Sequence, residues 1–254
     1  MRFSKWHALG NSYVLVERGD AAPLCPERVR RLCDRDTGIG SDGVLEVVTR
    51  RGPRAGVIVW NPDGSRAEMS GNGVRIAAGW LARESGEREV VVDVSGREVA
   101  AALLDDERIA TDLGEVAVGE PEHLEVGERV ELVTASVGNP HAVVRLDTAT
   151  RADLLRLGPL IEVDERFPQR TNVQLVEVLD RHALRVLVWE RGAGETRSSG
   201  SSSVAAAAVA VARGWCDSPV RVHLPGGELV VGLAGRRATL TGPAEEICKG
   251  ETPL

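Results

Sequence analysis

Apolar residues along this chain follow two patterns, one typical of β-strands and one of buried helices. Residues 71–83 are apolar around most of a helical circumference, as in a helix buried on all sides, and residues 202–213 form a second segment very rich in alanine. A short helix is predicted at residues 25–33. The apolar pattern of β-strands occurs at residues 13–17, 43–48 and 55–60. These elements predict an α/β (α+β) fold.

The second half of the chain repeats this alternation. Several short β-patterned runs lie between residues 89 and 112, and a helix is predicted near residues 152–157. Further strands are predicted at residues 129–136, 142–146, 173–179, 184–189, 220–222, 228–233 and 237–241. Residues 114–128 are acidic and weakly periodic, so we place a domain boundary there. The predicted domains are 1–113, completed by 245–254, and 114–244.

Two serines, each followed by glycine, lie at matching places in the two halves. Asn11 precedes Ser70 by 59 residues, and Asn139 precedes Ser199 by 60. Each asparagine follows a glycine, and each serine precedes a predicted helix. Matched spacings over such distances indicate two copies of one α/β unit of about 120 residues.

A helix that begins directly after a serine has two interpretations. Serine is a favoured N-cap residue, so Ser70 and Ser199 could serve only as caps. The first turn of a helix also binds anions through its free N–H groups, and Gly71, Gly73 and Gly200 would allow a ligand close approach. If the two halves pack face to face, both serines point at one ligand, as a two-base proton transfer requires. The matched pairing favours this second interpretation.

Eight motifs in order resemble those of one enzyme family over nearly the whole chain. The opening, residues 3–11, resembles F-x-K-x-H-G-L-G-N, and residues 35–43 resemble R-x-x-G-I-G-A-D-G. The other motifs lie at residues 61–65, 138–141, 167–173, 190–196, 225–229 and 242–244. Together they resemble the diaminopimelate epimerase family.

The resemblance implies a fold and an activity. The family fold has two pseudo-symmetric domains, each a β-barrel-like mixed sheet around a central helix, with the active site in the cleft between them. The implied reaction converts LL- to meso-diaminopimelate, a precursor of lysine and peptidoglycan, without pyridoxal phosphate or metal. No P-loop or Rossmann phosphate motif occurs in the sequence, in agreement with this expectation.

The resemblance also implies the site residues. Ser70 and Ser199 stand where the family has its two catalytic cysteines, and His141 and Glu190 lie beside that pair. These four are the candidate catalytic residues, and structural support is the alternative role for His141 and Glu190. The implied substrate-binding residues are Asn11, Asn61, Gly71, Asn72, Asn139, Asn172, Arg191, Gly200 and Ser201. The guanidinium of Arg191 suits a planar carboxylate, but an ion pair with Glu190 or Glu195 is its alternative role.

The serines change the expected chemistry. A thiol has a pKa of about 8.5, which a helix N-terminus lowers further. The pKa of an alcohol lies much higher, close to that of water. The difference from a thiol corresponds to roughly 7 to 10 kcal/mol, whereas a helix end supplies at most about 2 kcal/mol. The serines therefore cannot simply replace two thiolates.

Three explanations stay open: a laboratory Cys-to-Ser variant, a natural relative with altered chemistry or another base, and a relative that binds an amino acid without turnover. Residues 198–203 also depart from the family's A-C-G-T-G-A at four positions besides Ser199, which favours natural divergence. For an enzyme, Asp63 and Glu68 join His141 and Glu190 as titratable candidates near the site.

Composition narrows the partners and the location. The chain has 254 residues and a net charge of -7, without a basic run that could follow phosphates, so nucleic acid is not expected as a partner. It has no apolar stretch of membrane-spanning length and no signal-like start, so we expect no membrane partner and a cytoplasmic enzyme. The four cysteines lack metal-site spacing, so we expect no metal. The family suggests a homodimer.

Overall fold

Two buried helices organise the protein, one in each of two units. The computed structural model describes residues 1–20, 23–67 and 70–254. Unit 1 comprises Met1–Asp112 with Thr241–Leu254, and unit 2 comprises Leu113–Leu240. Each unit contains a mixed sheet and its own hydrophobic core.

Unit 1 begins with an antiparallel pair of strands and returns to it at the end of the chain. Its strands are β1 Arg2–Ala8, β2 Asn11–Glu17, β3 Val44–Arg51, β4 Arg54–Trp60, β5 Arg66–Ala67, β6 Glu89–Val94, β7 Arg97–Leu103 and, from the C-terminal segment, β18 Glu245–Glu251. Its helices are α1 Pro26–Cys33 and α2 Gly71–Ser85. Strand β8, Ile109–Glu115, leads the chain into unit 2.

Unit 2 is built from a similar set of elements. Its strands are β9 Ala117–Glu125, β10 Arg129–Ser136, β11 Pro140–Arg145, β12 Asn172–Asp180, β13 Ala183–Glu190, β14 Gly194–Thr196, β15 Val220–Leu224 and β16 Gly227–Ala234. Its helices are α3 Arg151–Glu162 and α4 Gly200–Ala212. Strand β17, Arg237–Gly242, leads the chain back to unit 1.

The strand order is the same in both units. In unit 1, β1, β2, β3, β4, β6 and β7 are joined by antiparallel, parallel, antiparallel, parallel and antiparallel pairings in turn. Strands β10, β11, β12, β13, β15 and β16 of unit 2 follow the same sequence of pairings. In both units each parallel pair is connected through a helix, as parallel pairs usually are. The predicted pseudo-symmetric α+β fold is confirmed.

The crossover helices α2 and α4 lie against most strands of their own unit. Helix α2 contacts β1, β2, β4, β6 and β7, and α4 contacts β9 to β13, β15 and β16. Ten residues of α4, all of them small or branched, have little or no exposed surface, which explains its alanine-rich sequence. Alanine leaves room for strands on every side of a helix, whereas larger side chains would overpack the space.

The sequence missed or misjudged several boundaries. No strand was predicted in the weakly periodic residues 114–128, yet they contain β9, of which only Leu124 is buried. Its exposed, acidic edge gives no apolar alternation that a sequence pattern could detect. Strand β18 was not predicted for the same reason. Strand β1 was not predicted either, because its buried positions include the polar Ser4 beside Trp6 and Ala8, so its apolar alternation is incomplete. The second long helix begins at Gly200, two residues before its predicted start at residue 202.

Candidate active site

In unit 1, Ser70 is the N-cap of α2. Its Oγ accepts a hydrogen bond from the backbone N–H of Gly73 at 3.0 Å, which satisfies one of the free donors of the first helical turn. The same Oγ lies 2.9 Å from the Tyr13 hydroxyl. Ser70 is therefore both a cap and a hydroxyl bonded to a phenol.

The other polar groups at this helix end form a chain of hydrogen bonds. Asn72 donates through Nδ2 to Asn11 Oδ1 at 3.2 Å, and its Oδ1 accepts from Arg75 Nη2 at 2.9 Å. Gly71 and Asn72 are the first two residues of α2, so their N–H groups lie at the positive end of the helix. Unit 1 thus brings together four of the predicted residues: Asn11, Ser70, Gly71 and Asn72.

Asn61 lies in the turn that follows β4. Its Nδ2 donates to Ser65 Oγ at 2.9 Å, and Asp63 Oδ1 accepts from the Ser65 N–H and Oγ at 2.8 and 2.7 Å. These bonds from Ser65 hold the pKa of the exposed Asp63 carboxyl below its usual value. A carboxylate so stabilised is a weak base, which argues against Asp63 as the catalytic base. Glu68, the other candidate here, lies outside the described residues.

In unit 2, Ser199 is the N-cap of α4 but accepts no capping bond from the helix backbone. It lies instead beside the carboxyl group of Glu190, the last residue of β13. The Glu190 side chain keeps some exposed surface, but protein surrounds its carboxyl group, and this burial raises its pKa. The Ser199 and Thr196 hydroxyls act in the opposite direction by stabilising the carboxylate. Thr196 Oγ1, although beside this carboxyl, meets no described partner in good hydrogen-bond geometry.

His141 is locked in a buried network. The Gln174 Nε2 amide lies 3.1 Å from His141 Nδ1 and donates to Ser202 Oγ at 3.0 Å. An amide nitrogen can only donate, so Nδ1 accepts, and Nε2 carries the proton and donates to Asn139 Oδ1 at 2.9 Å. Burial, with a smaller contribution from the Arg191 charge, lowers the pKa of His141 to about 3. A neutral imidazole with both nitrogens bonded supports Asn139 rather than acting as a base.

Asn172 and Arg191 are also linked. Asn172 Oδ1 accepts from the Arg191 backbone N–H at 3.0 Å, and its Nδ2 donates to the Pro140 carbonyl at 2.9 Å. The Arg191 guanidinium is exposed and donates to the Gln169 carbonyl at 3.3 Å. The alternative ion pair with Glu195 is not formed, because Glu195 binds Arg151.

Glu162 supports the turn that carries Arg191. Its carboxylate accepts from the Gly192 N–H at 2.8 Å and from the Trp189 indole at 2.7 Å. Burial of this carboxyl acts to raise its pKa, but these two bonds and the Arg170 charge outweigh it and lower the pKa. Sequence reasoning missed Glu162, Tyr13, Gln174, Thr196 and Arg75. The signal was available for Gln174 and Arg75, each a polar residue within an apolar run.

Unit 2 has a surface groove of about 590 Å³ lined by residues 117–119, 134–136, 138–140 and 166–170. Asn139 is the one predicted site residue among them. Within the described residues, no group of three or more His, Cys, Asp or Glu side chains could hold a metal. No described helix has both the length and the hydropathy needed to cross a membrane.

Known proteins similar to this chain share one family. A family model described as diaminopimelate epimerase matches residues 3–119 and 133–247, which include every candidate site residue. The diaminopimelate epimerase of Stutzerimonas stutzeri is 38% identical, with 100% of this chain and 99% of that protein covered. That of Alkalilimnicola ehrlichii is 40% identical with the same coverage.

Solved structures with low sequence identity share the fold. A predicted epimerase from Pseudomonas aeruginosa superposes with a TM-score of 0.78 at 15% identity, covering 100% of this chain and 99% of the other. A hydroxyproline epimerase from Agrobacterium vitis superposes with a TM-score of 0.71 at 18% identity, covering 99% and 90%. At such identities the likeness shows the fold alone.

Proposed function

The chain belongs to the diaminopimelate epimerase family, and on this premise we propose that it inverts the α-carbon of an amino acid with a polar distal end. Its relatives make it an isomerase of the epimerase type. The proposed chemistry needs neither pyridoxal phosphate nor metal. One observation carries the proposal: the Ser199 half-site retains a titratable group, Glu190, although both cysteine positions are serine.

Glu190 suits the role of base better than either serine does. An efficient catalytic base has a pKa near the working pH, and burial raises the pKa of Glu190 toward that range. A serine hydroxyl stays protonated at neutral pH. His141, the other candidate, has its nitrogens occupied by Gln174 and Asn139. We therefore assign proton removal to the Glu190 and Ser199 pair.

The proton balance of this half-reaction is simple. The substrate's α-proton passes to Ser199 Oγ while the Ser199 hydroxyl proton passes to Glu190, so one C–H bond breaks and the carboxylate gains a proton. The electron pair stays on the substrate, delocalised into its α-carboxylate. N–H groups in the first turn of α4, at Gly200 and Ser201, stabilise this negative charge.

Inversion needs a proton delivered to the opposite face of the carbanion. We assign this step to Ser70, which gives its hydroxyl proton to the carbon and takes one from Tyr13. A phenol such as that of Tyr13 is a stronger acid than an alcohol. Solvent then returns a proton to Tyr13 and removes the one held by Glu190, which restores both residues for the next turnover.

Diaminopimelate is the proposed substrate because the family resemblance supports it. The exposed guanidinium of Arg191 can bind both oxygens of a distal carboxylate. The resemblance also implies that Asn61 binds the distal end of the substrate. Asn172 supports the backbone of Arg191, so we propose that it positions the Arg191 guanidinium for binding the distal carboxylate. A cytoplasmic location, a role in lysine supply and a homodimer stay predictions.

Exchange of the α-hydrogen tests this proposal. The protein is incubated in D₂O with LL- and meso-diaminopimelate, and incorporation of deuterium at the α-carbon is followed by mass spectrometry. We expect incorporation that falls strongly in Glu190→Gln. Saturable binding without exchange for a panel of amino acids would contradict the epimerase proposal and identify an amino-acid-binding relative.

A double variant, Ser70→Cys with Ser199→Cys, distinguishes loss of the catalytic thiols from a change in substrate recognition. Thiols at both helix ends should raise exchange of diaminopimelate by several orders of magnitude, since the thiol pKa is about 8.5 and a helix N-terminus lowers it. The single variants are the matched controls. A double variant that stays inactive on diaminopimelate would show that substrate recognition has changed as well.

A further inference from the structure

Arg75 is a fully buried arginine one helical turn beyond the Ser70 cap. It has no exposed surface, and burial lowers its pKa only to about 10, so the guanidinium is charged at neutral pH. Its Nε donates to the Pro243 carbonyl at 3.0 Å and its Nη2 to Asn72 Oδ1 at 2.9 Å. Its Nη1 is buried without a hydrogen-bond partner in the described part of the chain.

Burying the charge of Arg75, with Nη1 lacking a described partner, costs free energy that needs an explanation. A buried charge is expensive unless other groups stabilise it, and an uncharged side chain such as methionine would fill similar space more cheaply. The bond to Pro243 joins α2 to the C-terminal segment of unit 1, which is a structural role for Nε. That role does not explain the bond from Nη2 to Asn72.

The bond to Asn72 fixes the direction of two amide groups. A guanidinium can only donate, so Asn72 must turn its Oδ1 toward Arg75. The Asn72 Nδ2 then points to Asn11 and donates to Asn11 Oδ1 at 3.2 Å. With its oxygen so engaged, Asn11 must turn its own Nδ2 away from Asn72.

We propose that Arg75 is a positioning residue that makes Asn11 a hydrogen-bond donor toward a carboxylate of the substrate. This inference rests on the proposed function for the identity of the ligand. An amide that presents two N–H groups attracts a carboxylate, whereas the reversed amide would present its oxygen and repel one. The buried charge of Arg75 further favours an anion at the N-terminus of α2. Arg75 acts through Asn72 and Asn11 and needs no contact with the substrate.

The direction of the hydrogen bonds is measurable without any ligand. In the ¹⁵N-labelled protein, NMR compares exchange with water for the side-chain amide hydrogens of Asn72 and Asn11. We expect one Asn72 Nδ2 hydrogen to be protected and both Asn11 Nδ2 hydrogens to exchange freely. Protection of Asn11 with free exchange at Asn72 would mean that the bond runs the other way and would overturn the proposal.

Variants of Arg75 test what sets this direction. Arg75→Met removes the donor to Asn72 and should lower the protection of the Asn72 amide about tenfold or more, as expected for loss of a hydrogen bond to a charged group. Arg75→Lys retains a donor and should restore part of the protection. Arg83→Met, on the exposed last turn of the same helix, is the matched control. Unchanged protection in Arg75→Met would overturn the assignment to Arg75.

Calorimetry with LL-diaminopimelate and its monoamides tests the consequence for binding. In Arg75→Met we expect the affinity for the diacid to fall about tenfold, while the affinity for the monoamide at the affected carboxylate changes little. Equal losses for acid and amide would indicate general distortion and contradict a donor role for Asn11. If the unaltered protein fails to bind diaminopimelate, the proposed substrate is wrong, whereas the NMR result still decides the role of Arg75.

Discussion

The two half-sites share a backbone frame and differ in their chemistry. Both serines are N-caps of a buried crossover helix, in sheets with the same order of pairings. Ser70 is bonded to a helix N–H and to the Tyr13 phenol, and the charged Arg75 lies farther along the same helix, bonded to Asn72. Ser199 makes no capping bond and lies beside the carboxyl group of Glu190.

This difference shows that the duplicated fold fixes where the serines lie but not how they are supported. A two-base reaction needs an acceptor for one proton and a donor for another, and a symmetric pair of thiols can serve in either role. Here the titratable partners are unlike, a carboxyl group in unit 2 and a phenol in unit 1. We infer that unit 2 removes the proton and unit 1 returns it.

The largest effects are expected on reaction rates, when Glu190→Gln is compared with Tyr13→Phe. Loss of a general base typically costs about 10²- to 10⁴-fold in rate, so Glu190→Gln should lower exchange of the α-hydrogen by that factor. Tyr13→Phe should lower racemisation more than exchange, because exchange needs only proton removal and return on one face. Equal effects on both readouts in both variants would contradict the division of roles.

The raised pKa of Glu190 also predicts how the exchange rate and the stability depend on pH. Burial raises the pKa of Glu190, and the ionised form is the base, so the exchange rate should rise with pH through that raised pKa. For stability the sign is opposite: a carboxyl with a raised folded pKa contributes stability below its unfolded pKa and loses it as the pH rises through the folded value. Glu190→Gln should therefore be more stable than the unaltered protein at neutral pH, as measured by urea denaturation.

The second largest expected effect is on the pH dependence of the free energy of unfolding. It comes from His141, in unit 2. Burial lowers its pKa to about 3 from an unfolded value near 6.5, so the unfolded chain binds more protons between these values. Stability is then full above pH 6.5 and falls as the pH drops toward 3, by on the order of 3 to 5 kcal/mol. His141→Gln should remove much of this slope in urea denaturation series.

His123→Gln is the matched control, since His123 is exposed. It should leave the acid slope unchanged. If His141→Gln has the same slope as the control, the buried neutral imidazole described for unit 2 is wrong, and His141 regains its place as a candidate base.

The sequence indicated which candidate residues lie at the two helix ends, but not what each of them contacts. Motif order and matched spacing led to Ser70, Ser199, Glu190 and Asn139, because these depend on contiguous residues and on chain length. Whether a buried group is a base or a support depends on neighbours distant in sequence, such as Gln174 for His141. No local pattern carries that information, and the contacts of Glu190 and His141 in the structure are what support our proposal of Glu190 as the base.

The fold was predictable to a similar degree. The apolar circumference of residues 71–83 and the alanine content near residue 205 reveal α2 and α4, because helices enclosed by strands must be apolar or small on every side. Strand β9 gave no such signal, since it borders β10 with most of its side chains exposed. Edge strands with charged faces resemble loops in a sequence pattern.

A smaller effect is expected on substrate binding when Arg191 is replaced. Removing a bidentate contact with a distal carboxylate in Arg191→Ala should raise KM for diaminopimelate by about 10- to 100-fold with little change in kcat. Arg185→Ala, a change to an arginine paired with Glu177, is the control. Turnover of the true substrate that stays intact in Arg191→Ala would instead indicate a substrate without a distal anion.

The smallest predicted effect is on the free energy of unfolding, when either N-cap serine is replaced by alanine. Ser70→Ala removes the acceptor for the Gly73 N–H and should lower the free energy of unfolding by about 1 kcal/mol, within the usual range for a serine cap. Ser199→Ala removes no capping bond, so its loss should be smaller, about 0.5 kcal/mol or less. Urea denaturation of both variants at one pH, with Ser201→Ala as control, measures the difference. Equal losses would show that both serines cap their helices alike and that the asymmetry of the half-sites does not extend to the backbone.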